Sequence, residues 1–203
     1  MIYCSLGEFC HASTLLKNNG LKQASFPFDW IFSNVDMVKH CINDDFKTYL
    51  DKSHYVTDSV NENICQHVLY NEMIGKDHLT IFNHHNPLTN EDHYAYFERC
   101  VNRFREMLAS SEEKTFVIFH RGSFDIRAEV KKASLLCGFL DEHTTNYTLL
   151  VINQRTTGTQ TRQLIVQGNL KFLNLTTISD SGGTCFVNEL DDSYLNKLFN
   201  EIR

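Results

Sequence analysis

A cysteine in the segment Ser5-Leu-Gly-Glu-Phe-Cys10-His11 poses the first chemical question in this 203-residue chain. A thiol attacks as its thiolate, so what surrounds Cys10 decides its reactivity. Ile2, Tyr3 and Leu6 read as a strand that breaks at Gly7, and Ala12 to Lys17 as a helix ending near Asn18, Asn19 and Gly20. Cys10 then falls in the first helical turn, where unpaired N–H groups and the positive end of the dipole favour a thiolate and predict a pKa below that of a free cysteine. The plainer expectation is a buried core residue, since free cysteines are often buried.

A cysteine nucleophile needs an imidazole to take its proton and a third group to orient that imidazole. Ten histidines supply too many candidates. His84 and His85 follow the apolar run Leu79 to Phe82 and precede Asn86 and Pro87, where a turn could present a ring into a cleft. His120 ends a predicted core strand, whereas His11 would point elsewhere on its helix than Cys10 does. For any one of them a structural or surface role is the commoner fate. In Phe26-Pro-Phe-Asp29-Trp30 one carboxylate sits among bulky groups. Buried there it would need a partner, which suits either orienting a histidine or capping a turn packed on the core.

Other chemistries have weaker signals. Neither G-x-G-x-x-G nor the Walker pattern occurs, yet Ser5, Gly7, Arg121 and Arg155 could converge at strand ends to hold an anion beside a helix N-terminus. His84, His85 and His93 have no recognised metal spacing, and H-E-x-x-H is absent, so neither a metal nor a cofactor is expected. A Ser5 nucleophile of the SGNH-hydrolase type needs a late Asp-x-x-His, but no histidine follows His143.

Positioning these residues falls to alternating elements. Thr115 to Phe119, Tyr147 to Ile152 and Leu170 to Leu175 are β-branched and aromatic runs that read as buried strands. Ile126 to Leu140 and Ser193 to Ile202 carry helical spacing, as do Val35, Val38, Ile42 and Phe46, and Phe97, Val101, Phe104 and Leu108. Thr89-Asn-Glu-Asp92 reads as a capping box opening the last of these. Strands alternating with helices predict one α/β domain over residues 1–203, with a mostly parallel central sheet flanked by helices, a helical middle region, and an insertion or lid over residues 51–90. Ligands of such sheets bind outside the carboxyl ends of the strands.

Composition narrows the setting. Hydrophobic residues make up 42% of the chain, which suits a full core, and the net charge is −6 with basic residues scattered, against nucleic-acid or anionic-membrane partners. Seven cysteines without a C-x-x-C pair fit neither a disulfide framework nor a zinc ribbon. With no signal peptide or membrane-length apolar run, a reducing intracellular setting is expected: the cytoplasm, or a virion for a viral chain.

Ser5-Leu-Gly-Glu-Phe-Cys10, continuing through Leu15, Leu16 and Leu21 to Phe26-Pro-Phe-Asp29-Trp30, then His84-His85 and the Phe97 to Phe104 helix with Arg99 and Arg103, resembles a family of unknown function described as papain-like cysteine peptidases, found in bacteria and large DNA viruses. The resemblance implies Cys10 as nucleophile, His84 or His85 as base, Asp29 as third member, and a papain-like α+β fold with an antiparallel barrel. Three functions therefore stand as expectations: a thiol-dependent hydrolase or transferase acting on a peptide or a small anionic molecule; a sugar-phosphate or nucleotide-binding domain gripped by Arg121 and Arg155; and a non-catalytic interaction module of viral or cellular origin.

Overall fold

A computed structural model describes residues 1–75 and 80–203. In chain order its elements are β1 (Ile2–Glu8), α1 (Cys10–Asn18), α2 (Val35–Asn43), α3 (Lys47–Leu50), β2 (Tyr55–Thr57), β3 (Cys65–His67), α4 (Val68–Ile74), α5 (Glu91–Ala109), β4 (Lys114–Arg121), α6 (Ile126–Asp141), β5 (Tyr147–Thr156), β6 (Thr161–Gln167), β7 (Leu170–Thr177) and α7 (Glu189–Ile202). The apolar runs become neighbours in a five-stranded sheet of order β1-β4-β5-β7-β6. The first four strands in that order are parallel and β6 returns antiparallel to β7. This is the α/β architecture that the alternating periodicity predicts. The antiparallel barrel implied by the resemblance is absent among the described residues; the central strands are buried on both faces, as parallel strands are.

Side-chain alternation divides the core between those faces. Cys4, Leu6, Phe116, Ile118, Val151 and Phe172 pack against α2, α5 and α6, together with Tyr55, Cys65, Tyr70, Ile81 and Phe82 from the middle of the chain. The segment expected to be an insertion or lid thus contributes part of this core; Leu79 of its apolar run lies outside the described residues. Tyr3, Val117, Phe119, Ile152 and Leu173 pack on the other face against α1 and α7. The predicted capping box is displaced by one residue. Asn90, not Thr89, caps α5, its side chain accepting from the Asp92 and His93 N–H groups at 2.9 and 3.2 Å. No sequence pattern announced β6, because nearly every residue in it is exposed and neither face alternates.

The strand does not break at Gly7. β1 continues to Glu8 with a register shift between Ser5 and Gly7. Gly7 has φ +100°, and a Cβ there would lie 1.8 Å from Ser33 Oγ, whose hydroxyl donates to the Leu6 carbonyl at 3.2 Å. Gly7→Ala must therefore pay twice, in backbone strain and in steric displacement of Ser33. We expect a loss of at least ~2 kcal/mol, read as a lowered urea midpoint.

Candidate active site

β1 delivers the chain to the carboxyl edge of the sheet, and α1 begins at Cys10, two residues after Glu8. Phe9, at the N-cap, is extended and offers no side-chain acceptor, so no capping side chain competes for the N–H groups of the first turn. His84 reaches Cys10 from a different part of the chain. Phe82 bridges to Cys65, the Ile81 carbonyl accepts from the Phe32 N–H at 3.1 Å, and the His85 N–H closes a turn onto the Phe82 carbonyl at 3.2 Å. That turn exposes His84 and sets its Nε2 3.7 Å from Cys10 Sγ. The Asn83 amide lies 3.3 Å from the same nitrogen; as a donor it favours the tautomer in which Nε2 is unprotonated and able to receive the thiol proton. A cleft of about 470 Å³ opens beside this ring, walled by Ser25, Trp30, His85, Tyr96 and Thr184.

The expected low thiol pKa is reversed. Cys10 is 4% exposed, and burial pushes its thiol up to about 11, with Asp29 adding to the rise and only a backbone hydrogen bond opposing it. Desolvation outweighs the helix terminus, so at neutral pH the sulfur rests as a thiol. Iodoacetamide at pH 7 is accordingly expected to label exposed Cys185 before Cys10. Peptide mapping should then show Cys10 labelling rise about tenfold per pH unit toward its pKa; a rate already level at pH 7 would indicate a thiolate at rest.

The remaining predicted residues divide by their partners. His85 stacks on Tyr96 at 4.9 Å and 7° and meets Phe97 and His93 edge-on. Burial, then the neighbouring His93 and His84, bring it down to about 4, a neutral ring in a packed wall. Asp29 is fully buried; its Oδ2 accepts the Phe26 N–H at 2.7 Å and binds Lys22 Nζ, and the Ser13 hydroxyl of α1 lies beside the carboxyl. These bonds direct Asp29 to Lys22 and the Phe26 turn rather than to His84. Ser5 is buried and accepts from the Gly7 N–H at 3.2 Å, while Arg121 donates to the Ser181 carbonyl and lies over Phe9, and Arg155 lies over Phe124. Of the four residues expected to hold an anion, Ser5 and Gly7 meet each other and the two arginines are turned to other partners. His120 faces Glu8 and Glu129.

His11, set aside on local spacing, has a role that spacing could not reveal. Its Nδ1 is 2.7 Å from Ser181 Oγ and its Nε2 3.7 Å from Asp192 Oδ1, with the ring stacked 4.1 Å from Phe119. The Ser–His–Asp order resembles a hydrolase triad, but Ser181 is 1% exposed and the adjoining cavity holds about 10 Å³. No substrate fits there. The contact instead ties α1 to the loop carrying Thr184, one wall of the cleft beside His84.

No helix among the described residues is long and apolar enough to cross a membrane, and no group of three or more His, Cys, Asp or Glu there could hold a metal ion. A family model described as "Putative papain-like cysteine peptidase (DUF1796)" matches residues 1–157, which include Cys10, Asp29, His84 and the parallel strands β1, β4 and β5. Neither a curated protein nor a solved structure matches the chain.

Proposed function

The chain belongs to the DUF1796 family, and from that premise we propose that it is a thiol-dependent acyl hydrolase or acyltransferase with Cys10 as nucleophile and His84 as general base. The observation that carries this reading is the 3.7 Å approach of Cys10 Sγ and His84 Nε2 beside a solvent-open cleft. Because burial favours the neutral thiol, proton and sulfur must move together. His84 Nε2 takes the thiol proton as the sulfur attacks an acyl carbon; the resulting imidazolium returns that proton to the leaving group, and a thioester remains on Cys10. Water, or an acceptor nucleophile in a transferase, then attacks the thioester with His84 again as base. The N–H groups opening α1 are placed to stabilise the oxyanion that develops beside Cys10. Trp30 and Tyr96 give the cleft aromatic walls for an acyl or peptide group.

The test is trapping. After brief incubation with 4-nitrophenyl acetate and acid quench, mass spectrometry is expected to find an acetyl group on Cys10, absent in Cys10→Ala, with a burst of nitrophenolate matching the adduct. Acetylation confined to Cys185, or no adduct at all, would overturn the reading.

A further inference from the structure

β6 leaves one of its edges open. It stands last in the order β1-β4-β5-β7-β6, pairs with β7 alone, and every residue of Thr161–Gln167 except half-buried Ile165 is exposed. The hairpin fixes which backbone groups face outward. Gly168-Asn169 joins the register partners Gln167 and Leu170, and the pair that closes a two-residue hairpin is hydrogen-bonded. The Thr161 N–H, which donates to Thr176 Oγ1 of β7 at 2.9 Å, is in phase with it at the other end. Alternation therefore turns the backbone groups of Thr161, Gln163, Ile165 and Gln167 to β7, and those of Arg162, Leu164 and Val166 to the open edge. Among the described residues no strand or backbone hydrogen bond reaches that edge.

Soluble proteins blunt such an edge with proline, lysine, a bulge or a covering segment. β6 contains neither proline nor lysine, and its register with β7 is unbroken from Thr161 to Gln167. Its one charged residue, Arg162, is drawn to Glu201 of α7. Leu164 and Val166 remain 41% and 59% exposed on the same face, where Leu173, the register partner of Leu164, packs against α7. Two copies of this edge match each other. Set antiparallel about a two-fold axis at Leu164, they place Arg162 opposite the partner's Val166 and Leu164 opposite the partner's Leu164. Every outward residue then exchanges N–H···O=C bonds in both directions. Sliding the strands either way leaves at least one of those residues unpaired. The side chains suit the same register, since Leu164 meets the partner's Leu164 and the stem of Arg162 covers the partner's Val166. The two guanidinium groups lie about 14 Å apart along the strands, beyond the screening length of about 8 Å, and each stays on its own Glu201. We propose that β6 is a self-association edge, joining two copies of this chain through a sheet continuous across the two-fold axis. A foreign strand would find the same backbone groups but not this reciprocal cover of Leu164 and Val166. The inference rests on neither Cys10 nor His84, and β6 lies outside the matched residues 1–157.

The test is sedimentation equilibrium of the unmodified protein at pH 7 from about 1 to about 300 µM, the range in which a small edge-to-edge interface dissociates, with amide hydrogen exchange by NMR at both ends of that range. The weight-average mass is expected to climb from 23.6 kDa toward twice that value and stop there, because a two-fold contact closes. The Arg162, Leu164 and Val166 amides should gain about tenfold protection at the high concentration, and Gln163 and Ile165, already bonded to β7, should gain less. Leu164→Pro deletes an outward N–H without touching the β7 ladder, and Val166→Lys sets a like charge opposite the partner's Arg162. Each should weaken association at least tenfold. A mass fixed at that of one chain, whether or not a foreign strand docks on β6, would overturn the proposal. So would growth past two copies, a dimer whose three outward amides exchange as in dilute protein, or native association by either folded variant. If Leu164→Pro fails to fold, Val166→Lys, at an exposed position, still decides the point.

Discussion

His84→Ala is expected to slow acyl transfer from Cys10 by about 10²–10⁴-fold at pH 7, the usual range for removing a general base. The size follows from the sulfur's surroundings. With the thiol pushed up to about 11, the spontaneous thiolate is on the order of one part in 10⁴ at pH 7, so without His84 almost no nucleophile is present. The same reasoning predicts the form of the deficit. The variant's rate should climb about tenfold per pH unit as hydroxide takes over deprotonation, and approach the native rate toward the thiol pKa. A pH–rate profile of the 4-nitrophenyl acetate reaction, with Cys10→Ala as blank, separates this from structural damage, which would lower the whole curve without changing its slope. Equal rates at pH 7 in native and His84→Ala protein would remove His84 from the mechanism and leave the 3.7 Å contact as packing.

What could be read ahead of the structure follows how local each determinant is. β4, β5 and β7 were legible because their residues are buried on both faces, so each strand is written as a continuous apolar run. α6 was legible through Ile126, Val130, Ala133, Leu136 and Leu140, because helical period is carried within the segment. β6 was not, since its pairing is determined by β7 and its side chains are in water. At the site, Cys10 and the pair His84-His85 could be singled out as residue types, but which histidine meets the sulfur depends on the Phe82–His85 turn and its tie to Phe32. The thiol pKa was read in the wrong direction because helix position is visible in sequence while burial is not. His11 with Ser181, and Lys22 with Asp29, join residues by tertiary contact alone, and no local spacing marks such pairs.

Lys22→Met is expected to destabilise the fold by about 3–5 kcal/mol, because it removes one partner of a buried ion pair and strands the other. Asp29 is fully buried and Lys22 only 11% exposed, so water cannot readily replace the lost ammonium. Burial already raises the Asp29 pKa while Lys22 holds it down; without Lys22 the carboxyl must rise further. For a carboxyl whose folded pKa lies above its unfolded value, the penalty is present above the folded pKa and disappears as pH falls toward the unfolded value of about 3.9. Urea midpoints of native and Lys22→Met protein should therefore differ most at pH 7 and converge in acid. Adding Asp29→Asn should recover much of the loss, since an amide oxygen can still accept the Phe26 N–H without carrying charge. The double variant also decides what Asp29 does. If the carboxylate serves the Phe26 turn and α1 only, the folded double variant keeps the native pH–rate profile. If it orients His84 in the reacting complex, the rate falls although stability has returned. A Lys22→Met protein unfolding at the native midpoint at pH 7 would instead mean that Asp29 is already protonated there, with no buried charge for Lys22 to balance.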